Sequence, residues 1–183
     1  MGYAGGTTEN PTYYNLGDHS ETVQLEYDPS QLSYQELLDI FWESHNPVYP
    51  AVSRQYRSII FYHNDAQRTL ALASKEHEEA VTGSEVFTEV MPAAEFYLAE
   101  DYHQKYYLRQ VPELMEELAA IYPDPADLVA STAAARINGY LGGNGTIAKL
   151  QEQIALLGLS PEGKQRLLEI ASRRLGGAVC SLK

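Results

Sequence analysis

Cysteine is nearly absent from this chain of 183 residues: Cys180 is the only one. A single thiol cannot close an internal disulfide, so the fold rests on packing and needs no oxidising compartment. Basic side chains are also scarce, 13 Lys and Arg against 25 Asp and Glu, for a net charge of −12. That balance repels a phosphate backbone and argues against general nucleic-acid binding. Long apolar runs are missing, since charges interrupt each of them within a few residues, and the N-terminus is glycine-rich and polar where a secretory signal would be basic and then apolar. The expectation is a soluble intracellular protein, cytoplasmic or within an organelle. Without a signal, Asn144-Gly145-Thr146 reads as a turn and not as a glycosylation acceptor. Phenylalanine and tryptophan are few, four and one, whereas tyrosine reaches 14. Most tyrosines are expected at the rim of a core, ring inward and hydroxyl outward, with a few left to donate to a ligand.

What is present organises the chain into two parts. The alternation over residues 22–27 predicts a strand that ends at Asp28-Pro29, and it places His19 and Glu21 two residues apart on one face. Ser33 with Glu36 forms a capping box for a helix burying Leu37, Leu38, Phe41 and Trp42. Strands are expected over 56–62 and 86–90, the second stopped by Met91-Pro92, with a long helix from Asn64-Asp65 to about residue 80 between them. Phe96-Tyr97-Leu98 precedes a short helix from Glu100 through Tyr107. From Pro112 onward the pattern is helical throughout, with segments at 113–121, 126–138, 147–157 and 162–175. Pro112, Pro125 and Pro161 fit first helical positions, and Gly158 and Gly176 fit stops. In the last helix Leu167, Leu168, Ile170 and Leu175 form an inward stripe. The architecture expected is an α+β sandwich with an antiparallel or mixed sheet over residues 1–110, followed by a helical extension over 111–183.

Chemistry concentrates in the first twenty-one residues, where Gly2-Tyr3-Ala4-Gly5-Gly6, Asn10-Pro11-Thr12-Tyr13 and Asp18-His19-Ser20-Glu21 bring glycines, phenols and acids together. A carboxyl group at Glu21, desolvated near such a loop, can remain protonated at neutral pH and act as a general acid. Tyr13 and Tyr56 can direct two phenolic donors at the same oxygen. From spacing alone, the simpler reading is a solvated strand glutamate and two tyrosines at the rim of a core. A metal reading is also open, with His19 and Glu21 on the strand and Glu100, Asp101 and His103 at a helix start.

These motifs closely resemble the A-type peptide methionine sulfoxide reductases. The resemblance runs in order through Gly2-Tyr3-Ala4-Gly5-Gly6, Asn10-Pro11-Thr12-Tyr13, His19-Ser20-Glu21, Tyr27-Asp28-Pro29, Phe41-Trp42-Glu43-Ser44-His45-Asn46-Pro47, Gln55-Tyr56-Arg57-Ser58 and Phe96 to Gln104. It spans residues 2 to about 109. Ser131-Thr132-Ala133-Ala134-Ala135-Arg136 through Gly139-Tyr140 is similar to a subgroup with a longer helical C-terminus, and past Thr146 no likeness is read. The resemblance implies a ferredoxin-like two-layer sandwich and the reduction of methionine S-sulfoxide, free or in proteins, to methionine. It gives Glu21 the part of general acid and Tyr13 and Tyr56 that of polarising the sulfoxide oxygen while a cysteine thiolate attacks sulfur. His19, Asp101 and His103 become second-rank pocket residues. The sulfenic acid formed is resolved by a second thiol, with thioredoxin or a dithiol as the external reductant. No bound cofactor and no metal are implied, and neither nucleic acid nor membrane is a partner.

Departures from the family pattern carry their own expectations. The nucleophile motif Gly-Cys-Phe-Trp, which precedes the glycine-rich loop in the family, is not found before Gly2, so the chain is expected to be truncated at its start, with Met1 an internal residue of a longer product. An exposed sheet edge and inactivity toward methionine sulfoxide would follow. Cys180 is the sole candidate thiol and reads more simply as an incidental tail residue. The stretch from Val48 to Arg54 is short and lacks the carboxylate that the family often carries there. A non-catalytic module that binds oxidised methionine or a partner protein is the alternative function.

Overall fold

A computed structural model describes residues 1–176 of the chain, so Cys180 lies outside the described residues. They divide into two compact units, Met1–Glu100 and a second starting at Asp101. That division precedes the boundary expected near 110, because the short helix Tyr106–Arg109 packs within the helical unit.

The first unit holds two small sheets. Strand β1 (Gly2–Ala4) is the middle of an antiparallel set, flanked by β2 (Ser20–Thr22) and β5 (Tyr97–Leu98), with Tyr3 opposite Glu21 on one side and Tyr97 on the other. Strands β3 (Ile59–Tyr62) and β4 (Glu89–Pro92) form a parallel pair connected through α2 (Asp65–Thr82), while α1 (Tyr34–Glu43) packs on α2. The expected capping box is formed: Ser33 Oγ accepts from Glu36 N–H, and the Glu36 carboxylate accepts from Ser33 N–H at 2.7 Å. Asn64 caps α2 by accepting from Gln67 N–H, and Gly83 ends it at φ +64°. Leu38, Trp42, Ile60, Ala71 and Val86 make the core between these helices and β3–β4, with Phe41 half-buried beside it. Each large apolar side chain enclosed there contributes about 1.5–3 kcal/mol.

Several strands are shorter than their sequence patterns, and the reasons are local. β2 stops at Thr22, and Val23 and Leu25 stand exposed, because among the described residues β2 pairs with β1 alone and its outer edge meets no ladder. Residues 54–56 close as a 3₁₀ turn ahead of β3. β4 begins later than the predicted 86–90 because Val86 is spent in the core and Phe87 N–H is taken by Pro47 O at 2.9 Å. Pro92 can close β4 because its missing N–H removes no bond from the one ladder that strand makes.

The second unit is all helical: α3 (Tyr106–Arg109), α4 (Pro112–Ile121), α5 (Pro125–Ala130), α6 (Thr132–Leu141), α7 (Ile147–Gln153) and α8 (Pro161–Gly176). All three prolines occupy first helical positions, as their fixed φ and missing N–H favour. The helix expected at 126–138 is two helices. Ser131, extended at ψ 126°, ends α5 and caps α6, its hydroxyl accepting from Ala134 N–H at 3.2 Å. Glu117 on α4 fixes the start of α8, accepting from both the N–H and the hydroxyl of Ser160 at 2.7 and 2.8 Å. Leu108, Leu114, Leu118, Ile137, Leu150 and Leu167 are fully buried together, and Leu168, Ile170 and Leu175 pack against them. The last helix therefore presents the inward stripe read from its sequence. No helix among the described residues is long and apolar enough to cross a membrane.

Candidate active site

Gly6 to His19 forms a loop organised by its own acid and imidazole. Asp18 Oδ1 accepts from the backbone N–H groups of Thr7 and Thr8 at 2.8 and 3.2 Å, and the two threonine hydroxyls add bonds at 3.0 and 3.1 Å. His19, 1 % exposed, accepts from Gly6 N–H at Nδ1, which fixes the proton on Nε2, and Nε2–H donates to Thr8 O at 2.8 Å. His19 therefore clamps the loop with both ring nitrogens, and the metal reading would require it to abandon that role. Among the described residues no group of three His, Cys, Asp or Glu side chains is spaced to hold a metal ion.

The hydrogen bonds into Asp18, led by the Thr7 N–H, hold its carboxyl well below the usual carboxylate range. Because the folded-state value is depressed, the stabilisation is complete above the ordinary aspartate value near 3.8 and is lost as pH falls through the folded value. The amide resonances of Thr7 and Thr8 should accordingly stay fixed through mild acid and move only in strong acid. Movement already between about pH 5 and 4, where free carboxyls begin to titrate, would contradict this.

Glu21 lies on β2, directly opposite Tyr3. It lines a cavity of about 360 Å³ whose walls include Leu37, Phe41, Ile60, Phe61 and Phe96, with Arg57 and Tyr34 as polar members. Ligand pockets start at roughly this size. Among the described residues the buried Tyr34 hydroxyl has no hydrogen-bond partner, and burial, then the nearby Tyr27, pushes its pKa up, so it stays a neutral phenol. Residues of β2 and β3 both contribute to the cavity wall.

Tyr56 belongs to the 3₁₀ turn Arg54–Tyr56 and, like Tyr13, is not among the residues that line this cavity. That turn and the residue after it are fastened to β2 and to the segment leading into it. Ser20 Oγ donates to Arg54 O at 2.8 Å, Gln55 Nε2 donates to Glu21 Oε1 at 2.6 Å, and Arg57 Nη2 donates to Asp18 O at 3.3 Å. Arg57 is also paired with Glu89 at 3.3 Å. Tyr56 is 57 % exposed. Tyr13 is held through its backbone by Glu100. One carboxylate oxygen accepts from Tyr13 N–H at 2.9 Å, and the other accepts from the buried Tyr3 hydroxyl at 2.7 Å. The Tyr13 ring meets Tyr14 edge-on at 5.5 Å and is 37 % exposed.

The arrangement thus brings Glu21 and Tyr56 onto adjoining, mutually bonded elements and anchors the Tyr13 backbone to β1. Asp101 and His103 form a 3₁₀ turn in the second unit. Gln55 and Glu100 are the connecting residues that motif reading did not single out for these contacts. Gln55 sits within the Gln55-Tyr56-Arg57-Ser58 motif, and Glu100 within Phe96 to Gln104, so position in a motif was the available signal.

An α+β unit with a carboxylate in the wall of an apolar cavity and tyrosines on bonded loops suits a reaction in which an oxygen acquires negative charge. Residues 1–131 match the family model described as peptide methionine sulfoxide reductase. The chain belongs to that family. A peptide methionine sulfoxide reductase from Drosophila melanogaster is 40 % identical over 90 % of this chain and 67 % of its own length. Peptide methionine sulfoxide reductase A5 of Oryza sativa is 43 % identical over 76 % of this chain, which spans 57 % of that relative. Mxr1 from Saccharomyces cerevisiae, in the crystal structure of its reduced form, is similar with a TM-score of 0.56 and 31 % identity, over 61 % of this chain and 69 % of that one. The extent of the fruit-fly match carries the likeness beyond Thr146, where sequence motifs had given none.

Proposed function

We propose that the chain performs the oxygen-activating part of methionine S-sulfoxide reduction, the sulfoxide being free or within a protein. Glu21 supplies the proton to the sulfoxide oxygen, and Tyr13 and Tyr56 donate hydrogen bonds to it as charge develops. The observation that carries this reading is the Glu21 carboxylate, held by Gln55 in the wall of a mainly apolar cavity. Apolar walls suit the thioether, and a protonated carboxyl suits the oxygen. Over a full cycle one sulfoxide and two thiols become one sulfide, one disulfide and water, so the electrons come from thiols and no bound cofactor is needed. A thioredoxin-like protein or a small dithiol fits that role, and a reducing compartment such as the cytoplasm suits it.

Attack on sulfur requires a thiolate. Residues 1–176 contain no cysteine, and the chain's single thiol is Cys180. Recognition of sulfoxide without turnover is therefore the expected behaviour of this polypeptide in the presence of a dithiol. The test is calorimetry with N-acetyl-methionine S-sulfoxide amide and with the corresponding sulfide, alongside a turnover assay. The sulfoxide should bind at least about tenfold more tightly, the worth of one good hydrogen bond in a partly desolvated site. Equal affinities would overturn the reading. Turnover that vanishes in Cys180→Ser would instead assign the attack to that thiol.

A further inference from the structure

We propose that Gln55 is the positioning residue of the proton donor: its amide occupies one oxygen of Glu21 and confines the transferable proton to the other. This rests on the functional reading above. Gln55 Nε2 approaches Glu21 Oε1 at 2.6 Å in a partly buried setting. An amide nitrogen can only donate, so Oε1 must accept. A protonated carboxyl group has one accepting oxygen and one that carries the hydrogen. With Oε1 committed to Gln55, the hydrogen resides on Oε2. A free carboxyl group would place it on either oxygen, and half of that population would present an acceptor to the acceptor oxygen of the sulfoxide.

The same 3₁₀ turn carries Tyr56, so one short segment sets both the orientation of the acid and one phenolic donor. Ser20 Oγ bonds the turn itself, and the Arg57 guanidinium just after it bonds Asp18 O just before β2, both independently of Gln55. Other ionisable groups also surround Glu21. Tyr3 is opposite it on β1, and Arg54 and Tyr56 belong to the turn. Arg57, His63, Tyr27 and Tyr34 share the cavity wall, with Arg57 engaged by Glu89. Against this background Gln55 makes a direct donor contact with the carboxylate.

The decisive comparison uses the whole chain, with N-acetyl-methionine S-sulfoxide amide and the corresponding sulfide as the probes. Gln55→Met keeps the length of the side chain and removes the donor. Its affinity for the sulfoxide should fall about twofold or more, since the freed carboxyl presents its hydrogen from either oxygen, and its affinity for the sulfide should not change. Gln55→Asn, with its amide drawn back by one methylene, should act in the same direction and serves if the methionine variant folds poorly. Gly83→Ala, at the end of α2 and outside the cavity lining, is the stability control. It should lower the melting temperature and leave both affinities in place.

If Gln55→Met weakens binding of sulfoxide and sulfide equally, as a purely structural contact would, or leaves the preference for sulfoxide whole, the proposal is overturned. A failure of the functional reading is distinct from this. It shows in the parent chain, as equal affinities for sulfoxide and sulfide before any variant is made, and it takes the role of Gln55 with it.

Discussion

Gly17→Ala lowers the melting temperature of the first unit sharply and removes sulfoxide binding with it. Gly17 has φ +63°, and a Cβ there would lie 1.9 Å from Thr8 Oγ1 and 2.7 Å from Thr8 Cβ. Thr8 has nowhere to retreat. Its hydroxyl and N–H are bound by Asp18, and its carbonyl is bound by His19. The added methyl must therefore break the clamp that organises residues 6 to 19, the segment that carries Tyr13 and leads into β2. Overpacking plus left-handed strain places the expected cost at about 3 kcal/mol or more. Gly83 supplies an internal control, with nearly the same φ of +64° and nothing within 4 Å of its added Cβ. Gly83→Ala should cost only the left-handed penalty of roughly 1 kcal/mol. Thermal unfolding of the two variants is the measurement, and similar losses from both would show that the Thr8 contact does not matter.

The elements legible in the sequence were those specified by neighbouring residues. The Ser33 and Glu36 capping box, the Asn64 cap and the three first-turn prolines all depend on contacts within a few positions, and each is formed. The leucine stripe of α8 was legible because helical periodicity reports which face is buried. Strand lengths were not legible. A ladder ends where its partner ends, and alternation at Val23 and Leu25 carries no information about whether a partner lies alongside. The break at Ser131 was missed because alanines on both sides of it favour helix, while the serine chose the cap. In the candidate site, residue types and motif order marked Glu21, Tyr13 and Tyr56. The side chains that hold them were hidden because they act across long separations. Gln55 reaches back 34 positions to Glu21, and Glu100 reaches back 87 to Tyr13. His19 shows the converse: a histidine beside an acid suggests chemistry, yet its two nitrogens are both consumed in shaping a loop.

Glu21→Leu is expected to erase the preference for sulfoxide over sulfide while leaving the fold intact. Leucine has a similar reach and suits the apolar walls around it, so the cavity keeps its shape and its affinity for a thioether. What it removes is the donor proposed for the sulfoxide oxygen. Sulfoxide affinity should drop about tenfold or more, and sulfide affinity should stay within about twofold. The Gln55 amide, deprived of its acceptor, can turn to water because the contact is only partly buried, so the stability change should remain within about 1 kcal/mol. Glu21→Gln separates hydrogen bonding from proton transfer. Its amide can still donate to the sulfoxide oxygen, so binding should be largely kept, but it has no proton to surrender as the S–O bond breaks. With a thiol available for the attack on sulfur, the glutamine variant should therefore hold the sulfoxide and not reduce it. Parallel losses of sulfoxide and sulfide affinity in Glu21→Leu would mean that the residue maintains the cavity and does not address the oxygen. The acid would then have to be sought elsewhere in the unit, with the unpartnered Tyr34 hydroxyl in the same cavity wall as the first group to replace.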